Sequence, residues 1–109
     1  MINVELSHNF RREAKQLVKK YHSLAEEIQQ LIELLSVNPY QGEALGRDCY
    51  KIRIAIASKG KGKSGGGRVI SCVKVTAEKV ILLSIYDKSE QEDIEQNFLK
   101  QLLKENDLI

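Results

Sequence analysis

Hydrophobic positions recur with two different periods along the chain, and the switches between them mark the elements. Ile2, Val4 and Leu6 alternate with Asn3, Glu5 and Ser7, which predicts a short strand over 2–6 with one buried face. From Phe10 the period lengthens. Phe10, Ala14, Leu17, Val18 and Tyr21 share one stripe of a helix predicted over 8–21, with Ser7 placed to cap it. Leu24, Ile28, Leu31, Ile32 and Leu35 form the stripe of a second helix over 23–36. Ser23 and Glu26 have the spacing of a capping box, and Asn38-Pro39 stops the helix. The polar break near His22 fits a helical hairpin or one long kinked helix.

Beyond Gly42 and Gly46 the period returns to two. Tyr50, Ile52, Ile54 and Ile56 point one way in a strand over 49–57, and Lys51 and Arg53 point the other, about 7 Å apart along it. Strands over 68–76 and 79–87 follow. Val80 to Ile85 is nearly all apolar, which places that strand inside the sheet. Ser89 and Glu92 repeat the capping-box spacing ahead of a last helix carrying Ile94, Phe98, Leu99, Leu102 and Leu103, with Glu90, Glu92, Asp93 and Glu95 in its first turn. The expected fold is α+β, in the order β-α-α-β-β-β-α. Its small antiparallel twisted sheet carries two N-terminal helices packed on it and a C-terminal helix. At 109 residues it forms a single domain, 1–109.

Charge changes this picture, because it is unevenly spread. From Arg47 to Lys79 there are nine Lys or Arg against two acids, whereas the whole chain carries only +2. One strongly basic segment is the usual footprint of a polyanion site. Within it, residues 58–67 form a loop rich in Gly and Ser that bears Lys59, Lys61 and Lys63, which are expected to contact nucleic acid. Arg11, Arg12, Lys15, Lys19 and Lys20 on the first helix read first as a solvated face, and second as an extension of that basic patch.

Several chemistries are excluded or thin. No apolar run approaches a membrane span, and the first residues lack the basic and apolar regions of a signal peptide. Cys49 and Cys72 are too few for a disulfide framework or a zinc cage, so a cytoplasmic chain with reduced thiols and no metal is expected. Residues 57–64 imitate a phosphate-binding loop ending in Gly-Lys-Ser. Such a loop must open a helix, and three glycines and a Val/Ile-rich strand follow instead, so no nucleotide cofactor is expected. His8 and His22 read as surface residues and Cys72 as a core residue. Chemistry carried by Lys and Arg alone points to stabilisation of phosphate charge.

In this order the pieces Asn38-Pro39-Tyr40, Leu45-Gly46, Tyr50-Lys51-Ile52-Arg53, Gly60 to Ile70 and Leu82 to Glu90 resemble the RelE/ParE superfamily of toxins from type II toxin–antitoxin modules. Gly62 to Ile70 is most similar to the HigB-like branch. The resemblance covers essentially the whole chain. It implies a ribosome-dependent mRNA endonuclease that inhibits translation without a metal, by attack of a ribose 2′-hydroxyl on the adjacent phosphate. It implies a cognate antitoxin, the ribosome and mRNA as partners. Position by position, it places Lys51 and Arg53 among basic catalytic residues, Lys51 being the better proton acceptor, Arg68 as the phosphate-clamping arginine, and Lys88 as the basic residue after the last strand. Tyr86 is the candidate for base stacking or proton transfer, set against a packing role beneath the last helix. Ile94 stands near the place of a catalytic tyrosine, and Gly67 stands where many relatives have a larger residue. Two other readings share the features: a ParE-like inhibitor of DNA gyrase, and a non-catalytic nucleic-acid-binding module that uses the lysine loop only for charge.

Overall fold

The computed structural model describes residues 2–60 and 62–109. Alternation and helical stripes become β1 (Asn3–Leu6), α1 (His8–Lys20), α2 (Leu24–Val37), β3 (Cys49–Ile54), β4 (Gly67–Lys74), β5 (Lys79–Asp87) and α3 (Gln96–Glu105). One short strand, β2 (Glu43–Gly46), was not expected. It pairs with β3 through a two-residue turn at Arg47 and Asp48, both at positive φ, the geometry that matches the twist of a hairpin. The fold is α+β with one five-stranded sheet in the order β1-β5-β4-β3-β2.

The sheet is mixed, not wholly antiparallel. β1 runs parallel to β5, with Val4 opposite Val80 and Leu6 opposite Leu82. Period-two alternation fixes which side chains face the core and is blind to a neighbour's direction. β3, β4 and β5 are antiparallel, as expected. β3 ends at Ile54 and β4 at Lys74, each followed or preceded by a tight turn instead of continuing strand.

Both faces of the sheet are covered. On one, Phe10, Leu24, Ile28, Leu31 and Leu35 from the helical hairpin pack on Ile52, Ile54, Val69, Val73, Val80 and Leu82, with Leu17 partly buried beside them. On the other, Leu99, Leu102 and Leu103 of α3 pack on Ile70, Cys72, Ile81 and Leu83. Ser7 caps α1 as expected, its hydroxyl accepting from the Phe10 N–H at 3.1 Å. The Ser23–Glu26 capping box does not form. Ser23 instead donates to Glu27, lies 2.9 Å from the Ser58 hydroxyl, and so ties the interhelical turn to the turn at Ala57–Lys59.

The pairing of β4 with β5 slips between Ile70 and Ser71. Val80 and Leu82 face the helical hairpin, but after the slip Ile85 does so and Tyr86 joins the α3 side. This single irregularity aligns Tyr86 with Arg68.

Candidate nucleic-acid interface

Arg53 lies opposite Arg68, and Arg68 lies opposite Tyr86, so the three form one row across β3, β4 and β5. Cross-strand partners stand about 4.5–5.5 Å apart at Cα. Lys51 is opposite Ile70, one step along the same face. Lys88 follows the end of β5, and its backbone N–H donates to the Gly66 carbonyl at 3.0 Å. The sheet therefore gathers the basic residues singled out in the sequence. It does not leave all of them facing solvent. Arg53 is exposed, whereas Arg68 is only 3% exposed and Tyr86 5%.

Arg68 is held by backbone. One guanidinium nitrogen donates to the carbonyls of Lys63 at 2.8 Å and Gly67 at 3.0 Å, and the other to that of Ser64 at 3.3 Å. No carboxylate pairs with it among the described residues. Its charge is solvated by peptide dipoles and not neutralised. Gly66 makes this collar sterically feasible, since a Cβ there would collide with the Ile54 carbonyl oxygen.

Lys59 was expected on nucleic acid and is found inside the protein. Its ammonium donates to Asp87 Oδ1 at 2.5 Å, to the Gly65 carbonyl at 2.6 Å and to the Ser89 hydroxyl at 3.1 Å. Tyr21 donates to the other Asp87 oxygen. Burial pushes the Asp87 carboxyl up, but the hydrogen bonds from Lys59, Tyr21 and Ser89 outweigh it and hold the group well below the usual carboxylate range. Lys63 stays exposed, and Lys61 lies outside the described residues.

The acids after β5 also sit differently from expectation. Helix α3 does not open at Ser89. It begins at Gln96, with the Glu95 side chain accepting from the Asn97 and Phe98 N–H groups, both at 2.9 Å. Ser89 instead donates to Asp87. Residues 90–94 form an irregular segment that brings Asp93 to 3.5 Å from the Lys51 ammonium, with Glu43 at 3.8 Å, while Glu92 pairs with Lys88 at 3.5 Å. Asp93 is a site residue that reasoning from the sequence missed. The signal was present in Ile94, the lone apolar residue of a polar run from 87 to 97, which is buried against the α3 side. Burying it fixes its neighbour over the basic face.

Tyr86 is buried, which leaves it no face for base stacking. It packs in the α3 cluster, and its hydroxyl has no partner among the described residues. Burial pushes the phenol up to about 12; Asp93 adds to the shift and Arg68 opposes it. The phenol is therefore neutral at physiological pH. Beside the row, between α2 and β3, runs a groove of about 670 Å³ whose lining includes Leu31, Leu34, Glu43, Lys51, Arg53 and Lys63. Among the described residues no three His, Cys, Asp or Glu side chains are placed to hold a metal ion. His8 and His22 are exposed, and Cys49 and Cys72 are buried free thiols opposite each other across β3 and β4. No described helix is long and apolar enough to cross a membrane.

A model of the RelE family, described as the RelE toxin of the RelE/RelB toxin–antitoxin system, matches residues 4–107. The chain belongs to the RelE family of toxins. Membership makes it a toxin of a toxin–antitoxin system. Solved toxin structures share the fold at low identity. The intact E. coli RelBE toxin–antitoxin complex matches with a TM-score of 0.61 at 18% identity, covering 80% of this chain and 96% of that one. The isolated E. coli RelE toxin matches with a TM-score of 0.58 at 15% identity, covering 95% and 98%. A metal-bound toxin from Helicobacter pylori matches with a TM-score of 0.54 at 17% identity, covering 83% and 98%. The basic row of this RelE-family chain thus sits on a fold shared with those toxins.

Proposed function

We propose that this toxin is a metal-independent mRNA endonuclease that acts on ribosome-bound message in the cytoplasm and is neutralised by a cognate antitoxin. The observation that carries the reading is the cross-strand row Arg53–Arg68–Tyr86 beside Lys51, with Arg53 and Lys51 lining a groove, in a RelE-family chain. In the proposed reaction the 2′-oxygen bonds to phosphorus and the bond to the 5′-oxygen breaks. The products are a 2′,3′-cyclic phosphate and a 5′-hydroxyl. Arg53 reaches the phosphate from the exposed edge, and Lys51 lies one step along the same face. Arg68 adds an unneutralised positive charge where the phosphorane's extra negative charge develops. The 2′-hydroxyl proton needs an acceptor. Lys51 was the candidate from sequence; Asp93 at its side shares the task, because a carboxylate accepts where a charged ammonium only donates. Lys88, which follows β5 at the surface, returns a proton to the 5′-oxygen.

Antitoxin binding follows from the same charge. The RelBE structure is a toxin–antitoxin complex, and an acidic or amphipathic antitoxin segment is expected to cover this chain's basic face. The deciding experiment incubates the purified protein with programmed ribosomes and maps message ends. Cuts that carry a 2′,3′-cyclic phosphate, form in the presence of a chelator and disappear in Lys51→Ala support the reading. Growth arrest with every message intact favours gyrase poisoning. RNA binding without arrest or cleavage leaves only a binding module.

A further inference from the structure

Lys59 and Asp87 form the least solvated charge pair among the described residues, with side chains 9% and 1% exposed, and neither touches the groove. What they touch is the turn that holds Arg68. The turn at 62–66 closes on itself through the Gly65 N–H and the Gly62 carbonyl at 3.1 Å. Two external bonds fix its position: Lys88 N–H to Gly66 O, and the Lys59 ammonium to Gly65 O at 2.6 Å. The two residues before Gly65, Lys63 and Ser64, are those whose carbonyls accept from Arg68. Asp87 is in turn fixed by Tyr21 of α1 and by Ser89. A continuous polar chain therefore runs from the first helix through Asp87 and Lys59 to the collar around the Arg68 guanidinium.

We propose that Lys59 is a positioning residue: clamped by Asp87, its ammonium sets the 62–66 turn so that the carbonyls of Lys63 and Ser64 hold the buried Arg68 charge in place beneath the scissile phosphate. The inference rests on the nuclease reading and adds to it a residue that never meets RNA. A guanidinium without a carboxylate partner is oriented only by the dipoles around it, so losing the tie to Gly65 lets both collar and guanidinium drift. Misplacement on the scale of 1 Å costs on the order of a hundred-fold in rate. A lysine serving as a phosphate contact would behave differently, lowering affinity and its salt dependence.

The test uses Lys59→Met, Arg68→Ala and the double variant in the full chain. Two readouts are taken: tryptic cutting after Lys63 in the folded protein, and single-turnover cleavage of message on ribosomes across message concentration. The expected result for Lys59→Met is cutting after Lys63 at least about ten-fold faster, and a cleavage rate about ten- to a hundred-fold lower with half-saturation unchanged. In the Arg68→Ala background Lys59→Met should cost nothing further. Should Lys59→Met not fold, Tyr21→Phe, which keeps the Lys59–Asp87 pair and removes its second anchor, is read in the same assays with smaller shifts in the same directions. Wild-type protection of Lys63, a loss confined to half-saturation, or losses that multiply in the double variant overturn the proposal. If the wild type cuts no message, the nuclease reading fails separately, and the tryptic arm still decides whether Lys59 holds the collar.

Discussion

Residues 51–53 and residues 59–68 belong to one basic segment, yet their charges have different fates. Lys51 meets its carboxylates at 3.5 and 3.8 Å and Arg53 is exposed, so both remain available at the groove. Lys59 and Arg68 are buried, the first on a carboxylate at 2.5 Å and the second on three carbonyls. A positive count of seven over the segment therefore overstates the charge that an incoming polyanion meets. The difference separates residues that can exchange partners with a phosphate from residues that shape the place where the exchange occurs.

Replacing Asp87 should show the buried side of this contrast most strongly. Asp87→Ala strands the Lys59 ammonium without its counter-charge, and is expected to lower stability by about 3–5 kcal/mol in urea denaturation. Acid should act through the same group. Its folded pKa lies below the unfolded value of about 3.9, so its contribution is present above that value and is lost as pH falls through the folded one. Wild-type stability should fall below about pH 4, and the fall should be shallower in Asp87→Ala.

On the open side, Lys51→Ala should cost about 10²–10³ in cleavage rate, as removal of other donors to a developing oxyanion does. Its side chain is 16% exposed between Glu43 and Asp93, so its stability loss should be about 1 kcal/mol, well under that of Asp87→Ala. A stability loss as large as that of Asp87→Ala would erase the distinction. The smallest effect is expected at Lys63, which is exposed beside the groove. Lys63→Ala should weaken ribosome binding and lower the slope of log affinity against log salt by roughly one unit, with the cleavage rate at saturation retained. An unchanged slope would place Lys63 off the RNA.

The elements were legible because burial imposes a period. Phe10, Leu24, Ile28, Leu31 and Leu35 were read as the core stripe and lie in it. Direction and engagement have no period. The parallel pairing of β1 depends on a partner 76 residues away, as Asn3 meets Lys79. Glu43 to Gly46 is too short to show alternation, although the turn at Arg47 and Asp48 makes it a strand. In the site, residue type located Lys51, Arg53, Arg68 and Tyr86 on neighbouring strands. It could not show that Lys59 turns inward, because its partner Asp87 stands 28 positions later and is recognised only once β5 is in place. Ser89 and Glu92 had the spacing of a helix start, and the buried Ile94 delayed that start to Gln96.

The slip between β4 and β5 makes the sheet behave like a reading frame. Upstream of it, even-numbered residues of β5 belong to the layer under the helical hairpin; downstream, parity is inverted and Tyr86 belongs to the opposite layer, beside Arg68. Deleting Leu83, the residue without a partner, would restore regular pairing and leave Tyr86 opposite Arg68; ironing out the slip with Leu83 retained would instead move Tyr86 through the sheet. Among relatives, then, a strand one residue shorter at this point keeps the same row, and one of equal length without the slip does not. An alignment that closes the gap for the sake of matching letters would assign the tyrosine to the wrong side of the protein.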